Sequence, residues 1–174
     1  MYEDAEDGLT LGWNLYYPQW QNGAITNVQD EDAIHGKAIQ ILQTISGSQF
    51  FKFTSDTGAD WNNPIGKILQ WDLKTDHEML LHAYVSTNKG LKRAIYSYTR
   101  VPSYNSADAY FNIGVALKDN QWHTFIRNLD ADMKTVDPAI IVTGLKHIYL
   151  TSGGLNKPFR IDNIQALAEM PPTP

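Results

Sequence analysis

The stretch that decides the fold runs from residue 79 to residue 87 and reads MLLHAYVST. Along it, the apolar side chains of Leu81 and Ala83 alternate with those of His82 and Tyr84. Neighbouring side chains of a β-strand point to opposite faces of its sheet, so this period of two is typical of a strand with one buried face. The stretch therefore predicts a strand whose other face carries polar and aromatic groups.

Short segments of this kind recur along the chain, separated by clusters of Gly, Asn, Asp, Ser or Pro. No stretch has a sustained helical period, and residues 130–138 predict one helical turn before Pro138. Many short strands at this spacing indicate one all-β domain, either a sandwich or a barrel, without internal repeats. The predicted strands are residues 9–17, 24–29, 37–44, 49–54, 66–74, 79–87, 93–100, 110–117, 122–129, 145–151 and 159–167.

The composition excludes several classes of function. At 174 residues the chain is long enough to bury one sizeable core. Its net charge of −5 argues against nucleic acid as a partner, because no basic patch is available to neutralise a phosphate backbone. No apolar run approaches the roughly 18 residues of a membrane-spanning helix, so a membrane is not an expected partner either. The absence of cysteine excludes disulfides, thiolate nucleophiles and Cys-ligated zinc.

Both ends of the chain resemble parts of a longer protein. The N-terminus, MYEDAED, is acidic where a secretory signal would be basic. The C-terminus, MPPTP, has the Pro/Thr-rich composition of linkers between secreted domains. We therefore expect residues 1–167 to form one monomeric module and residues 168–174 to be the remains of a linker.

The polar side of the predicted strands has an unusual composition. On the strand before residues 79–87, Gln70 and Asp72 occupy this side, and on the strand after it Tyr96 and Tyr98 fall on the same side as Arg100. A face that meets only water more often carries Lys, Glu and Thr. The mixture of aromatic rings with amide, carboxylate, imidazole and guanidinium groups therefore indicates a binding face.

Five short motifs occur in a fixed order along the chain. EDG at residues 6–8 is followed by GW at 12–13, DAIHGKAIQI at 32–41, WHTFIRNL at 122–129 and FRIDNI at 159–164. In this order they resemble the jelly-roll carbohydrate-binding modules attached to secreted bacterial polysaccharide-degrading enzymes. The resemblance extends from Glu6 to Leu167. It implies an antiparallel jelly-roll β-sandwich, secreted or at the cell surface, that binds a polysaccharide or oligosaccharide without chemistry of its own and holds a linked enzyme on its substrate.

The resemblance also implies a structural calcium ion that joins the first strand to the last. The ligands implied for it are the carboxylates of Glu6 and Asp162 and backbone carbonyls at Gly36 and Lys37. Calcium binds six to eight oxygen atoms, so a mixed set of carboxylates and carbonyls suits it. Two carboxylates that converge without a cation would repel each other. The alternative is that Asp162 caps a turn and Glu6 is solvated.

For the glycan, the resemblance implies a face of one sheet or its rim, where sugar C–H groups lie against aromatic rings and polar side chains bind the hydroxyls. A buried sheet interface remains an alternative for the tyrosines of the strands, and we assign Trp13, Trp71 and Trp122 to the core. The mixture of tyrosines with Arg100 and Lys74, and with Arg93 or Arg127 as further cations, indicates an acidic glycan, such as a uronan or a sulfated polymer. The candidate glycan-binding residues are Gln70, Asp72, His82, Tyr84, Tyr96, Tyr98, Arg100, Tyr110 and the loop residue Trp61, with Trp20 as a further loop aromatic.

Two other functions remain open. A jelly-roll polysaccharide lyase could use His82 as the base, a nearby tyrosine as the acid and Arg100 to bind a uronate carboxylate. Against it, the Arg-x-Glu and Gln-Ile/Val-His strands of the alginate-lyase family are absent, and Asp72 is the one well-placed carboxylate where a glycosidase needs two. The five histidines also lack metal-ligand spacing. The second alternative is a structural or adhesin β-sandwich.

Overall fold

The computed structural model describes residues 5–16, 23–30, 32, 34–44, 49–64 and 66–171, and the candidate Trp20 lies outside these ranges. Within them the chain forms twelve strands and one α-helix, which confirms the all-β prediction. The elements are β1 (Trp13–Leu15), β2 (Gly23–Gln29), β3 (Lys37–Gln43), β4 (Phe51–Phe53), β5 (Ile68–Lys74), β6 (Met79–Thr87), β7 (Gly90–Ser97), β8 (Ser103–Tyr104), β9 (Asp108–Asn112), β10 (Trp122–Asn128), α1 (Leu129–Val136), β11 (Val142–Ser152) and β12 (Pro158–Leu167).

The strands form the two layers of a jelly-roll sandwich. The front sheet has seven strands in the order β1-β4-β11-β6-β7-β9-β8, and the back sheet has five in the order β10-β5-β12-β3-β2. Neighbouring strands are antiparallel except for β7 and β9, which are parallel. Strands that follow each other along the chain, such as β5 and β6, therefore often belong to different sheets.

The core between the two sheets is built from alternate residues of each strand. Trp71 of β5 is fully buried, stacks on Phe125 at 5.2 Å between ring centroids and contacts Tyr96 of the front sheet at 5.4 Å. Trp13 is also buried, so the assignment of both tryptophans to the core is confirmed. The same assignment is wrong for Trp122, because the register places it opposite Lys74 on the outer face of the back sheet.

The prediction that Tyr96 and Tyr98 share the binding face is wrong, since both side chains are fully buried in the core. The ring of Tyr96 stacks on Phe111, and its hydroxyl donates to Asp132 at 2.8 Å. The predicted strand also extends too far, because β7 ends at Ser97. The chain bends after that residue, so Arg100 does not stay on the side that the alternation assigns to it.

Two further details differ from the sequence-based predictions. The predicted single helical turn is an eight-residue helix, α1, whose first turn is capped by the Asn128 side chain accepting from the Ala131 N–H at 3.0 Å. The predicted strand over residues 110–117 ends at Asn112, because Gly114 has a φ of 99° and a 3₁₀ turn follows it. None of the described helical residues belongs to a segment long and apolar enough to cross a membrane.

Candidate functional site

The outer face of the front sheet carries a row of polar and aromatic side chains from four adjacent strands. In the register, Tyr84 of β6 lies between His147 of β11 and Arg93 of β7. Two residues away on the same face of β6, His82 lies between Tyr149 of β11 and Ile95 of β7. Ile95 is in turn paired with Tyr110 of β9. These outer positions alternate with buried ones, as expected for strands with one face in the core.

A β-bulge in β11 aligns this row. The register shifts between Leu145 and His147, so Lys146 is the extra residue on β11. Leu145 and Ile148 stay in the core, while His147 and Tyr149 both face outward beside the polar side of β6. Without the extra residue, one half of β11 would present its apolar side to solvent.

Aromatic rings gather at one end of this face, which we call the aromatic end (Tyr16, Phe50, Tyr84 and Tyr149). The ring centroid of Tyr149 lies 5.1 Å from Tyr16, 5.9 Å from Phe50 and 4.9 Å from Tyr84, with interplanar angles of 72–81°. These edge-to-face contacts are the favoured arrangement for aromatic pairs and hold the rings in fixed orientations. Tyr16 is 48% exposed, so the aromatic end is open to a ligand.

The other end, which we call the charged end (Glu78, His82, Arg93, Arg100 and Tyr110), lines a larger cavity of about 550 Å³. Arg93 is held by Asp108 through two hydrogen bonds, that from Nη2 being 2.6 Å long, and its Nη1 donates to the Tyr84 hydroxyl at 3.4 Å. The Arg100 guanidinium lies 4.8 Å from the centroid of the Tyr110 ring, within cation–π distance.

His82 forms the floor of the charged end and is 5% exposed. Neither of its ring nitrogens has a hydrogen-bond partner within the described part of the chain. The pKa of His82 is lowered to about 4, chiefly by burial and also by the positive charges of Arg93 and Arg100, while the negative charge of Asp108 acts to raise it. The imidazole is therefore neutral at neutral pH and offers one N–H donor and one nitrogen acceptor.

The aromatic and charged ends form one continuous cleft across the front sheet. A second cavity of about 130 Å³ is lined by the aromatic end together with Arg93, and it shares Phe50 and Arg93 with the larger one. The cleft thus offers aromatic faces, hydroxyl groups and cations along one surface. It also offers the buried imidazole of His82, whose nitrogens have no hydrogen-bond partner among the described residues. Such a surface suits a ligand with both apolar and hydrogen-bonding sides.

A separate group of acidic side chains, the carboxylate cluster (Glu6, Asp72 and Asp162), lies on the outer face of the back sheet. Asp72 and Asp162 are direct cross-strand partners in β5 and β12. One oxygen of Asp72 accepts hydrogen bonds from His35 Nε2 at 2.9 Å and, after a bulge in β12, from Asn163 Nδ2 at 2.7 Å. Its other oxygen, Oδ1, is buried and has no hydrogen-bond partner among the described residues.

The carboxylate cluster is electrostatically unfavourable as it stands. The pKa of Asp162 is raised to about 7, chiefly by burial and also by the negative charges of Asp72 and Glu6, while the hydrogen bond from the Asn163 N–H and the charge of His35 act to lower it. Glu6 is positioned by Lys37, whose backbone N–H donates to Glu6 Oε1 at 3.0 Å. Within the described ranges no group of three His, Asp or Glu side chains is arranged to hold a metal ion.

The implied Gly36 ligand does not fit this arrangement. The Gly36 carbonyl already accepts hydrogen bonds from the Asp30 N–H at 3.0 Å and from Gln29 Nε2 at 2.5 Å, which occupy its two lone pairs. The structure instead brings Asp72, predicted to bind a glycan, to Asp162. We therefore replace Gly36 by Asp72 in the candidate ligand set.

The geometry was compared with known proteins. No protein-family model matches the chain, and no curated protein is significantly similar to it. Among solved structures, a xylan-binding domain from CBM 22 matches with a TM-score of 0.53 at 10% identity, over 97% of this chain and 94% of that chain. The chain shares the β-sandwich fold of this xylan-binding domain.

Two further solved structures agree. The CBM22-1 xylan-binding domain from Paenibacillus barcinonensis Xyn10C has a TM-score of 0.51 at 9% identity, covering 97% of this chain and 94% of that chain. A structure of carbohydrate-binding modules from the β-sandwich superfamily has a TM-score of 0.52 at 14% identity, over 95% of this chain and 60% of that chain. Identities this low establish the shared fold and leave the ligand to be argued from the site.

Within this β-sandwich module, four of the predicted glycan-binding residues meet in the cleft: His82, Tyr84, Arg100 and Tyr110. The placement of Gln70 and Asp72 beside them is wrong, because β5 belongs to the back sheet and both residues face its outer side. Trp61 packs edge-to-face against Phe53 at the margin of the core and does not line either cavity of the cleft.

Sequence reasoning missed Tyr149 and His147 as residues of the cleft. A signal for both exists, because His147 and Tyr149 alternate with buried Ile148 and Leu150, the same pattern as in β6. Arg93 was named only among the cations that indicate an acidic glycan, not among the candidate glycan-binding residues. The exposed Tyr16 and the half-buried Phe50 lie next to short strands, where no alternation long enough to read exists.

Proposed function

We propose that this chain is a non-catalytic module that binds polysaccharide in the cleft of its front sheet. The observation that carries the proposal is the joining of ordered aromatic rings and hydrogen-bonding groups in one continuous surface. Sugar rings present C–H patches that lie against aromatic faces, and their hydroxyls need donors and acceptors at the rim. The aromatic end supplies the aromatic faces, and the charged end supplies the hydrogen-bond donors and acceptors.

The solved structures with the same fold guide the choice of ligand. Two of them are described as xylan-binding domains, so xylan belongs among the first polymers to be tested. Weak binding of single sugars would suffice for a module that holds a linked enzyme on its substrate, because attachment raises the local concentration of the enzyme. This role places the protein outside the cell, secreted or at the cell surface.

The pKa values of the cleft argue against a lyase reaction. A general base works best with a pKa near the operating pH, whereas burial lowers the pKa of His82 to about 4. Burial also raises the pKa of Tyr149, which makes its hydroxyl a weaker acid. Asp108 is held by Arg93 and is not available as one of a facing pair of carboxylates.

The proposal is tested with gels that contain neutral or acidic polysaccharides, xylan among them, and with a polymer-free gel as the control. We expect retardation by at least one polymer, without new absorbance from unsaturated uronates and without new reducing ends. Formation of product would contradict the non-catalytic part and favour a lyase. Migration unchanged by every polymer would contradict binding and favour a structural β-sandwich.

We also propose that the carboxylate cluster holds a calcium ion. Two features support it: the buried Asp72 Oδ1, which has no hydrogen-bond partner among the described residues, and the pKa of Asp162, which is raised to about 7 mainly by burial and also by the negative charges of Asp72 and Glu6. A hard cation would satisfy the first and relieve the second. The ion would bind Asp72, Asp162 and Glu6 and complete its six to eight oxygen ligands with water and backbone oxygens, joining β5, β12 and the N-terminal segment.

Calcium is therefore expected to raise the melting temperature. At a free concentration about 100 times its dissociation constant, an ion that binds only the folded state stabilises by about 2.7 kcal/mol, which corresponds to roughly 5–10 °C for a domain of this size. Thermal melts in calcium and in excess chelator measure the difference. Asp162→Asn should abolish it, and Asp56→Asn, on an exposed turn, should retain it. Equal melting temperatures of the wild type in both conditions would rule out the ion.

A further inference from the structure

We infer that the charged end of the cleft binds the carboxylate of a uronic acid, through the guanidinium of Arg100 held against Tyr110. The inference rests on the proposed function and deepens it, because it assigns a charge to one sugar of the bound polysaccharide. It also assigns that sugar a place, beyond the aromatic end and above the floor formed by His82.

Arg100 is the first reason. The chain has four arginines. Arg93, Arg127 and Arg160 each donate to a carboxylate, of Asp108, Asp132 and Asp30 respectively, at 2.6 Å. Within the described ranges the Arg100 guanidinium makes no such ion pair, and its charge faces the cavity.

Arg100 is nevertheless fixed in place. Its guanidinium lies 4.8 Å from the ring centroid of Tyr110, whose own position is set by the pairing of β9 with β7. Its backbone N–H donates to the Ser97 hydroxyl at 3.0 Å. A planar guanidinium that is stacked beforehand presents two parallel N–H groups, the geometry that matches a carboxylate.

His82 is the second reason. Both of its ring nitrogens are buried and have no hydrogen-bond partner among the residues that the structure describes, and leaving such groups unpaired is unfavourable. A ligand that reaches the floor of the cavity would pair them, the N–H donating to a sugar or carboxylate oxygen and the other nitrogen accepting from a hydroxyl. Two guanidinium groups and one carboxylate act on this imidazole, so the local charge around it is positive although the net charge of the protein is −5.

Glu78 is the one acidic side chain among the described residues that line the larger cavity, and a nearby lysine compensates its charge. Its Oε1 accepts from the Ser97 hydroxyl at 2.6 Å, and its Oε2 lies 3.8 Å from the Lys118 ammonium. Glu78 therefore does not cancel Arg100. Its carboxylate remains able to accept hydrogen bonds from the hydroxyls of the same sugar.

The inference is tested with three polymers that carry uronic acids, polygalacturonate, alginate and glucuronoxylan, each compared with its carboxyl-reduced form. We expect at least one acidic polymer to bind about 10- to 100-fold more tightly than its reduced form, the range for a hydrogen-bonded charge pair. Arg100→Gln should remove this preference and leave the affinity for the reduced polymer unchanged. Arg100→Lys should restore part of it, and added salt should weaken it.

The control variant is Lys134→Gln, which removes one positive charge from an exposed position on α1, away from the cleft. It should keep the full preference for the acidic polymer. Equal binding of acidic and reduced polymers by the wild type, or an equal loss for both in Arg100→Gln, would overturn the uronate site while leaving polysaccharide binding intact. If no polymer of either kind binds, the proposed function fails and the uronate site fails with it.

Discussion

Tyr84→Ala is expected to weaken polysaccharide binding about 30-fold or more while the protein stays folded. The ring of Tyr84 lies at the junction of the two ends of the cleft, 4.9 Å from Tyr149 and 4.6 Å from His147 between centroids. Its hydroxyl accepts from Arg93, so the variant removes both an aromatic face and a contact that orients a cation. Central aromatic residues of this kind typically contribute 2 kcal/mol or more to binding.

Two matched variants separate the loss of the Tyr84 ring from the loss of its hydroxyl and from the loss of a tyrosine elsewhere in the sheet. Tyr84→Phe keeps the ring and should keep most of the affinity, because only the hydroxyl contact is lost. Tyr104→Ala removes a tyrosine from the same sheet, but its register partner is the buried Ala109, so it does not share the face of the cleft. Affinity electrophoresis gives the binding and thermal melts give the stability. If Tyr84→Ala and Tyr104→Ala bind equally well, the cleft is not the binding surface.

Tyr96→Ala is expected to act on stability, with a loss of about 3–5 kcal/mol in the free energy of unfolding. Tyr96 is fully buried, and its ring packs on Trp71 and Phe111 at 5.4 and 5.5 Å between centroids. The truncation would leave a cavity in the centre of the sandwich and remove the hydroxyl that donates to Asp132. The melting temperature should fall by roughly 6–20 °C.

Tyr96→Phe separates the two contributions. It keeps the packing and removes only the hydroxyl, and Asp132 retains its ion pair with Arg127 at 2.6 Å, so a loss of only about 1 kcal/mol is expected. Denaturant unfolding of both variants measures these values. If Tyr96→Ala keeps its stability and loses polysaccharide binding, then Tyr96 belongs to the binding face and is not part of the core.

β6 and β5 differ in how much the alternation of their side chains predicts correctly. In β6 it correctly assigns Leu81 and Ala83 to the core and His82 and Tyr84 to the outside. In β5 it is equally correct about which side of the strand faces outward, and yet Asp72 lies on the sheet opposite to the cleft. A period of two distinguishes the two faces of one strand, and it contains no information about which sheet the strand joins.

Tyr96 of β7 shows a second limit of what the local sequence predicts. Tyrosine is compatible with either a core or a binding face, because its ring is apolar and its hydroxyl needs only one partner. Asp132, the partner of Tyr96, comes from α1, more than thirty residues further along the chain. Arg100 reaches the cleft because the chain leaves the strand after Ser97, and no local pattern signals that end.

Side-chain alternation and turn residues are enough to predict an all-β protein and to identify the side of β6 that carries a polar and aromatic face. These are local properties, because backbone geometry forces neighbouring side chains to opposite faces and burial selects the apolar one. Only the tertiary structure decided that Tyr84 meets His147 and Tyr149, that Arg100 rests on Tyr110, and that Asp72 faces Asp162. Each of these contacts depends on pairing between strands distant in the chain, which the whole core selects when it packs.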